Sequence, residues 1–339
     1  MYKILVIAPS WVGDNMLMQP MLMRLKQRHP DSQIDVLAPP WTAGLLNAMP
    51  EVAKVLINPF PHGALHLLQR YRLGKQLRAE HYQQVLVLPN SLKSALVAFF
   101  ANIPLRTGFV GESRYGLLND IRKLDKQALP LMVERFAQLA ESPQGEIPRP
   151  LPNPVLHVSE AQCRHTLDKL ALSLHKPVTV FCPGAEYGAA KRWPTSYFAD
   201  IALRLHAQGE AIWLLGSGKD KAVADEINQL TGNHCNNLCG RTDLSDALAI
   251  LACAQRVISN DSGLMHLAAA LDKPMIALFG SSSPQFTPPL SPHAKVVQYP
   301  IACSPCFKRV CPLGHFDCMM QLTPDKVWAQ LQSLPLIEC

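Results

Sequence analysis

The chain has 339 residues, of which 48% are hydrophobic and 17% are charged, a composition typical of a folded globular protein large enough for two domains. Its net charge is +6, and all of the excess lies in residues 1–150, which carry 17 Lys and Arg against 11 Asp and Glu. Residues 151–339 carry 15 of each. This asymmetry indicates an anionic partner for the first half; the alternative is an uneven surface without functional meaning.

Other features of the sequence exclude several classes of protein. The N-terminus lacks the charged segment, apolar segment and cleavage site of a secretory signal. No stretch approaches the about 20 apolar residues that cross a bilayer. No nucleic-acid-binding module is recognisable. We therefore expect a cytoplasmic protein that touches a membrane at most peripherally, binds no nucleic acid and keeps its ten cysteines reduced.

Short apolar runs alternate with helix-period segments in the first half of the chain. The predicted strands are Lys3–Ala8, Ile34–Ala38, Val52–Ile57 and Val85–Pro89. The predicted helices are Asn15–Arg28, Leu65–Ala79, Ser91–Ala101 and Leu131–Glu141. A stretch with five prolines in thirteen residues, Ser142–Pro154, then predicts a linker, because proline neither continues a helix nor sits inside a sheet.

The same alternation restarts after residue 175. The predicted strands are Val178–Cys182, Ala211–Leu215, Arg256–Ser259 and Met275–Phe279. The predicted helices are Thr195–Gln208, Lys219–Leu230, Leu244–Ala254, Leu264–Leu271 and a closing Pro324–Leu334. This pattern predicts an α/β protein of two doubly wound domains facing each other across a cleft. We place the domains at 1–150 and 151–322, with the terminal segment 323–339 packing back on the first domain.

Two common phosphate-binding motifs are absent. The turn Pro9–Asp14 is not a G-x-G-x-x-G sequence, and Gly216–Lys221 matches neither that pattern nor the P-loop. A nicotinamide dehydrogenase or a P-loop ATPase is therefore disfavoured. The Gly216–Asp220 segment either borders a nucleotide or is only a tight turn.

The first candidate site follows the first strand. Asp14 stands there as a general base for an acceptor hydroxyl, and the alternative is that it only caps the following helix. Trp11 is a bulky turn residue that shapes a site better than it caps a helix, and Ser10 and Gly13 complete the turn. Lys93 and Arg114 are the basic residues of this domain that we expect to grip an anionic acceptor; solvated surface is the alternative for each.

Two loops of the second half carry the other candidate residues. Lys191 follows a Gly- and Ala-rich loop and stands ready to neutralise a diphosphate, unless it is a solvated charge beside a helix start. In Asn260–His266 a strand ends and a helix begins, so the N–H groups of Ser262 and Gly263 form a predicted anion site with Asp261 and His266 beside them. The alternative is an ordinary cap with a packed histidine.

Four cysteines near the C-terminus have a metal-like spacing. They are Cys303-x2-Cys306-x4-Cys311-x6-Cys318, with His315 nearby. A four-thiolate zinc site needs two ligand pairs on tight turns, and only one Cys-x2-Cys pair is present. We interpret them as reduced thiols and expect no catalytic metal; structural zinc and a disulfide remain alternatives.

Taken together, these motifs resemble the lipopolysaccharide heptosyltransferases of glycosyltransferase family 9 over nearly the whole chain. The matching strings of the first half are Pro9–Asp14, Leu88–Ala95, Arg114–Asp120 and Pro130–Arg135. Those of the second half are Cys182–Glu186, Lys191–Pro194, Asn260–His266 and Ser283–Ser291.

The resemblance implies the GT-B fold, with the acceptor on the first Rossmann-like domain and the nucleotide sugar on the second. It implies transfer of L-glycero-D-manno-heptose from ADP-heptose to the first heptose of the lipopolysaccharide inner core, heptosyl-Kdo2-lipid A. It further implies inversion at the anomeric carbon, no metal and no other cofactor. The anionic lipid A–Kdo–heptose acceptor would bring the enzyme to the cytoplasmic face of the inner membrane.

The resemblance also implies residue roles. Asp14 matches the base proposed for the family, and Lys191 matches the residue that contacts the donor phosphates. Asp261 and His266 fall within the donor-binding motif, where the backbone N–H groups of the intervening turn reach the diphosphate. The family often has an acidic residue directly after the strand that matches Ala211–Leu215; here a Gly-Ser-Gly turn intervenes, so the ribose contact stays unassigned.

Two other interpretations remain open at this point. The chain is alternatively a sibling enzyme of the same family that acts at another core position, or a non-catalytic protein that binds sugar nucleotides. Acceptors that differ by one heptose separate the siblings, and ADP-dependent stabilisation without turnover identifies the binding protein.

Overall fold

The computed structural model describes residues 1–61 and 63–335. The chain divides into two compact units, Met1–Pro152 and Asn153–Cys339. Each unit contains one six-stranded sheet in which all neighbouring strands are parallel. The predicted α/β fold class is confirmed, since helices alternate with these strands along both units.

The first unit is built around a sheet of order β3-β2-β1-β4-β5-β6. Its strands are β1 Lys3–Ile7, β2 Gln33–Ala38, β3 Lys54–Ile57, β4 Gln84–Val87, β5 Leu105–Phe109 and β6 Asp120–Arg122. Its helices are α1 Val12–Arg28, α2 Ala43–Asn47, α3 Leu67–Leu77, α4 Leu92–Phe100 and α5 Met132–Ala140. The strand order reverses between β1 and β4, so the turns after these two strands lie at the topological switch point, where α/β folds bind ligands.

The second unit repeats this arrangement with the order β12-β11-β10-β7-β8-β9. Its strands are β7 Val178–Cys182, β8 Ala211–Leu214, β9 Cys235–Asn237, β10 Arg256–Asn260, β11 Met275–Phe279 and β12 Ala294–Gln298. Its helices are α6 Glu160–Leu170, α7 Thr195–Ala207, α8 Lys221–Leu230, α9 Leu244–Ala252, α10 Gly263–Ala270, α11 Asp317–Met320 and α12 Pro324–Gln332. Here the switch point lies between β7 and β10.

The central strands show why these sequences form covered sheets. Every residue of β7, β10 and β11 is buried, whereas β12 at the edge is partly exposed. Parallel strands that are buried along their whole length form where helices cover both faces of the sheet. The resulting frame holds the turns at the carboxyl ends of the strands in fixed positions.

The C-terminal helix contributes to the core of the second unit. Val327 and Leu331 on α12 are fully buried in a core cluster with Phe198 and Ile276. The packing of the terminal segment on the first domain stays a prediction. Residues 336–339 of that predicted segment lie outside the described residues. Within 1–61 and 63–335, no helix has the length and apolar character needed to span a bilayer.

Candidate functional site

A lysine–aspartate pair lies at the switch point of the second sheet. Lys191 Nζ donates to Asp261 Oδ2 at 2.5 Å, and the Ser282 hydroxyl donates to the same oxygen. The Asp261 side chain is 4% exposed and that of Lys191 is 17% exposed. The ammonium also lies 5.2 Å from the centre of the Tyr187 ring. The carboxylate is thus held by two donors, while the lysine side chain stays partly exposed.

The loop that carries Lys191 is fastened at both ends by one buried side chain. Asn260, fully buried at the end of β10, donates from Nδ2 to the Pro183 carbonyl at 2.7 Å. Its Oδ1 accepts the backbone N–H of Trp193 at 3.1 Å. The Trp193 ring is 1% exposed and donates to the Leu322 carbonyl at 2.7 Å. This arrangement sets the loop between Pro183 and Trp193 beside the start of α10.

The start of α10 is an anion-binding element of the expected type. Ser262 is its N-cap, Gly263 is its first residue, and both are partly exposed. The first N–H groups of a helix have no partner within the helix, and the helix dipole makes this end attractive to negative charge. Among the described residues the Ser262 side chain makes no capping hydrogen bond. The ammonium of Lys191, held on Asp261, and these N–H groups form a cradle suited to a diphosphate.

His266, which the sequence assigns to this site, is buried. It lies in the first turns of α10 and is 6% exposed. Burial lowers the pKa of His266 to about 4; the Asp261 carboxylate opposes this shift and the Lys191 ammonium adds to it. The imidazole is therefore neutral at pH 7, and it can donate or accept a hydrogen bond but contributes no charge.

Asp220 is a residue whose role the sequence did not predict. It is 7% exposed and accepts hydrogen bonds from the backbone N–H and the hydroxyl of Ser217, at 3.0 and 2.8 Å. A Cβ added to Gly184 would lie 2.3 Å from the Asp220 carboxyl carbon. The loops after β7 and β8 therefore touch through a glycine and a carboxylate. The Gly-Ser-Gly turn before Asp220 was the feature of the sequence that pointed to this loop. The contact of Asp220 with Gly184 cannot be predicted from residue spacing.

The first unit presents its candidate residues at the carboxyl end of β1. Trp11 is the N-cap of α1 and is 44% exposed, whereas Asp14 lies within the first helical turn and is partly exposed. Asp14 is thus the third residue of the helix and not its N-cap, and its role as the base stays a prediction. Gly13 lies beside it on the same turn. Asn15, fully buried, donates to the carbonyls of Pro9 and Trp11 at 3.0 and 2.7 Å and so fixes the turn.

Ser10 and Lys93 follow two neighbouring strands, β1 and β4, at the carboxyl end of the first sheet. The Ser10 carbonyl accepts the indole N–H of Trp41 at 3.0 Å, and Trp41 is 52% exposed. Lys93 lies in the first turn of α4, which follows β4, and is partly exposed. Since β1 and β4 are adjacent parallel strands, their following turns meet at one edge.

Arg114 is a correction to the sequence analysis. Its side chain is fully buried, and its guanidinium donates to the carbonyls of Phe109 and Pro89 and to Asn90 Oδ1, at 2.6–3.1 Å. Burial lowers its pKa to about 10. The prediction that Arg114 grips an acceptor is wrong, because its donors are already used to tie the loops after β4 and β5 together.

The sequence matches one protein family over most of its length. The family described as glycosyltransferase family 9 (heptosyltransferase) matches residues 70–317. The lipopolysaccharide heptosyltransferase 2 of Escherichia coli K12 is 46% identical over 345 residues, covering 99% of both chains. The chain belongs to glycosyltransferase family 9. It is therefore a glycosyltransferase, as the sequence predicted.

Two further similarities agree with this family membership. The lipooligosaccharide heptosyltransferase 2 of Haemophilus influenzae is 48% identical over 308 residues, 87% of this chain and 88% of that protein. The solved structure of the E. coli ADP-heptose lipopolysaccharide heptosyltransferase II superposes with a TM-score of 0.88, at 43% identity and 98% coverage of both chains. The GT-B class expected for a family 9 glycosyltransferase is thus confirmed.

Proposed function

We propose that this glycosyltransferase transfers L-glycero-D-manno-heptose from ADP-heptose to the first heptose of the lipopolysaccharide inner core, the activity of a heptosyltransferase II. The observation that carries the proposal is the Lys191–Asp261 cradle at the start of α10, within a chain 46% identical to E. coli lipopolysaccharide heptosyltransferase 2. The Lys191 ammonium and the N–H groups at the start of α10 are donors suited to a nucleotide diphosphate.

The chemistry proceeds by direct displacement with inversion. The acceptor hydroxyl attacks the anomeric carbon of the heptose, the bond from that carbon to the diphosphate oxygen breaks, and ADP leaves with the electron pair. Asp14 takes the hydroxyl proton as general base. Lys191 and the N–H groups of Ser262 and Gly263 stabilise the charge that develops on the departing diphosphate, so the reaction requires no catalytic metal.

The proposed acceptor side lies on the first unit. Its charge excess of six suits the anionic lipid A–Kdo–heptose acceptor. Ser10, Trp11, Gly13 and Lys93 stand at the sheet edge beside the proposed base and are the contacts we assign to that acceptor. Arg114 is left out because its guanidinium is buried.

The enzyme is further proposed to work in the cytoplasm and to touch the inner membrane through α3. On this helix Leu68 and Tyr71 are 72% and 41% exposed, and Arg72 and Lys75 are exposed beside them. Their spacing of three, four and seven residues puts all four on one helix face. A face of apolar and basic side chains suits an anionic lipid surface, which the acceptor shares.

The proposed transfer is tested by mass spectrometry of acceptors incubated with ADP-heptose. A gain of one heptose on heptosyl-Kdo2-lipid A, and none on Kdo2-lipid A, supports the assignment. A gain of one heptose only on another core acceptor supports a sibling enzyme. That assignment is less favoured, because the lipopolysaccharide heptosyltransferase 1 of Pseudomonas aeruginosa and the heptosyltransferase 3 of Escherichia coli are each 26% identical to this chain. Stabilisation by ADP with no gain on any acceptor identifies a binding protein and refutes transfer. Added Mg²⁺ should leave the rate unchanged.

The roles of Asp14 and of α3 have their own controls. Asp14→Asn should bind ADP normally and lose about 100- to 10,000-fold in kcat, whereas exposed Asp31→Asn should behave as wild type. Normal turnover of Asp14→Asn removes it as the base. Leu68→Ser should weaken sedimentation with phosphatidylglycerol vesicles, while Leu203→Ser, an exposed leucine of the second unit, should not. Equal sedimentation of both would contradict the membrane face.

A further inference from the structure

The four cysteines with metal-like spacing come together in the folded chain. Cys303, Cys306, Cys311 and Cys318 all line one small cavity of about 20 Å³, together with His315. That volume is about the size of a single water or a single ion. All four are free thiols, so no disulfide uses them. The sequence spacing left open whether they meet, and the fold brings them to one place.

The backbone around these thiols forms tight turns. The Ser304 N–H donates to the Ile301 carbonyl at 2.9 Å, and the Gly314 N–H donates to the Cys311 carbonyl at 3.3 Å. Phe307, directly after Cys306, adopts φ +53°, a left-handed conformation that is costly for a bulky residue and that the surrounding structure must hold.

The fourth thiol lies next to the other three. Cys318 lies in α11, is 9% exposed and lines the same cavity as Cys303, Cys306 and Cys311. Lys308 and Arg309, on the segment between the second and third cysteines, offset the remaining negative charge of a four-thiolate site.

We propose that one structural Zn²⁺ ion is bound by four thiolates together, those of Cys303, Cys306, Cys311 and Cys318. Zn²⁺ suits four thiolates in a closed tetrahedral site. Among the described residues no group of three such side chains is already spaced to hold an ion, so binding requires the four thiols that line the cavity to draw closer together. The site is distinct from the Lys191–Asp261 cradle and supplies no reacting group.

The segment that this ion would hold is packed directly against the donor loop. Tyr187 OH donates to the Phe307 carbonyl at 2.8 Å, and the Ala190 N–H donates to the Arg309 carbonyl at 3.0 Å. A Cβ on Gly188 would lie 2.3 Å from that Arg309 oxygen. The ion therefore acts on the donor site by positioning: it fixes residues 303–318, which in turn fix the loop that carries Lys191.

The same segment is tied to the end of β11. Phe307 N–H donates to the Ser281 carbonyl at 2.7 Å, and Ser304 Oγ donates to the Gly280 carbonyl at 2.6 Å. Ser282, the next residue, is the second donor to Asp261. Loss of the ion should therefore raise the KM for the donor more than it lowers kcat.

The test measures metal content, which requires no substrate and is independent of the proposed transfer. The full chain is purified under reducing conditions without chelator, and zinc and iron are determined by plasma mass spectrometry. We expect about one equivalent of zinc per chain, and a tetrahedral thiolate spectrum after Co²⁺ replacement. Cys306→Ser and Cys311→Ser should lose the ion, whereas Cys163→Ser, a partly exposed cysteine on α6, should keep it.

Several results would overturn the proposal. These are wild-type protein that holds less than about a tenth of an equivalent even after anaerobic reconstitution with ZnCl₂, unchanged metal content in both cysteine variants, or disulfides among the four thiols in fresh protein. One equivalent of iron in place of zinc supports the site and corrects the ion. If the variants do not fold, the wild-type stoichiometry and the cobalt spectrum decide alone.

Discussion

Replacing Lys191 by methionine separates a structural ion pair from a catalytic cation. The substitution keeps most of the side-chain volume but removes the ammonium from Asp261 Oδ2, 2.5 Å away. Asp261 is then a carboxylate that is 4% exposed and keeps only the Ser282 hydroxyl among these two donors. The variant therefore leaves a buried charge short of its countercharge.

The buried position of the pair sets the expected loss of stability and the expected loss of turnover. Breaking a fully buried ion pair by removing one partner costs about 3–5 kcal/mol. Because the Lys191 side chain is 17% exposed, solvent reduces this to about 2–3 kcal/mol. The melting temperature of the second unit should then fall by about 4–12 °C. Loss of a preorganised donor to the departing diphosphate should lower kcat by about 100- to 1,000-fold.

The double variant with Asp261→Asn decides between the two roles. It removes the uncompensated charge, so the melting temperature should return most of the way to the wild-type value. Turnover should stay low, because the cation that stabilises the departing diphosphate is still missing. Differential scanning fluorimetry without ligand and a single-turnover transfer assay measure the two effects separately.

Two outcomes would refute this reasoning. If the double variant regains wild-type kcat along with its stability, Lys191 serves only to hold Asp261. If Lys191→Met melts at the wild-type temperature, the pair contributes nothing to the fold and the charge geometry at the start of α10 does not matter for stability.

Three further substitutions test other parts of the structure. The pKa of His266 is near 6.5 in the unfolded chain and about 4 in the folded chain. The stability that the neutral imidazole contributes is therefore complete above pH 6.5 and is lost as the pH falls through 4, by at most about 3 kcal/mol. In urea titrations from pH 7 to 5, the free energy of unfolding of His266→Gln should decline less than that of the wild type. Arg114→Met should destabilise the first unit by about 3 kcal/mol or more in urea titrations, because several buried acceptors lose their donor, and a normal urea midpoint would contradict this. Gly184→Ala should lower the melting temperature and weaken ADP binding by calorimetry, since its Cβ would overlap the Asp220 carboxylate; wild-type values for both would show that the two loops move apart freely.

Much of the fold was predictable because its central strands are buried on both faces. β7 and β11 have the predicted bounds, since continuous apolar runs between turn residues are a strong local signal. β5, β6, β9 and β12 were missed. β5 contains Arg106, Thr107 and Gly108, and β9 is only three residues of Cys and Asn, so neither has an apolar run. Such strands form because a neighbouring strand supplies partners, which a local pattern does not record.

The site was predictable in its positions but not in its contacts. Lys191 and Asp261 were each expected at the ends of strands, and the fold pairs them across 70 residues of sequence. The contacts of Arg114 do not follow from its sequence neighbours, because an arginine that donates to buried backbone carbonyls and one that binds phosphate are the same residue type. Asp220 was noticed only as an acid at an unusual distance from its strand. Its contact with Gly184 depends on two loops whose approach only the folded sheet determines.

The Asn260 side chain makes the donor loop a closed ring. One amide joins the Pro183 carbonyl to the Trp193 N–H, so the two ends of the loop are fixed at a constant separation by a residue outside it. Residues 184–192 can then change the shape of the ring only while its two ends stay in place. A change at Asn260 would release both ends at once and, with them, the position of Lys191.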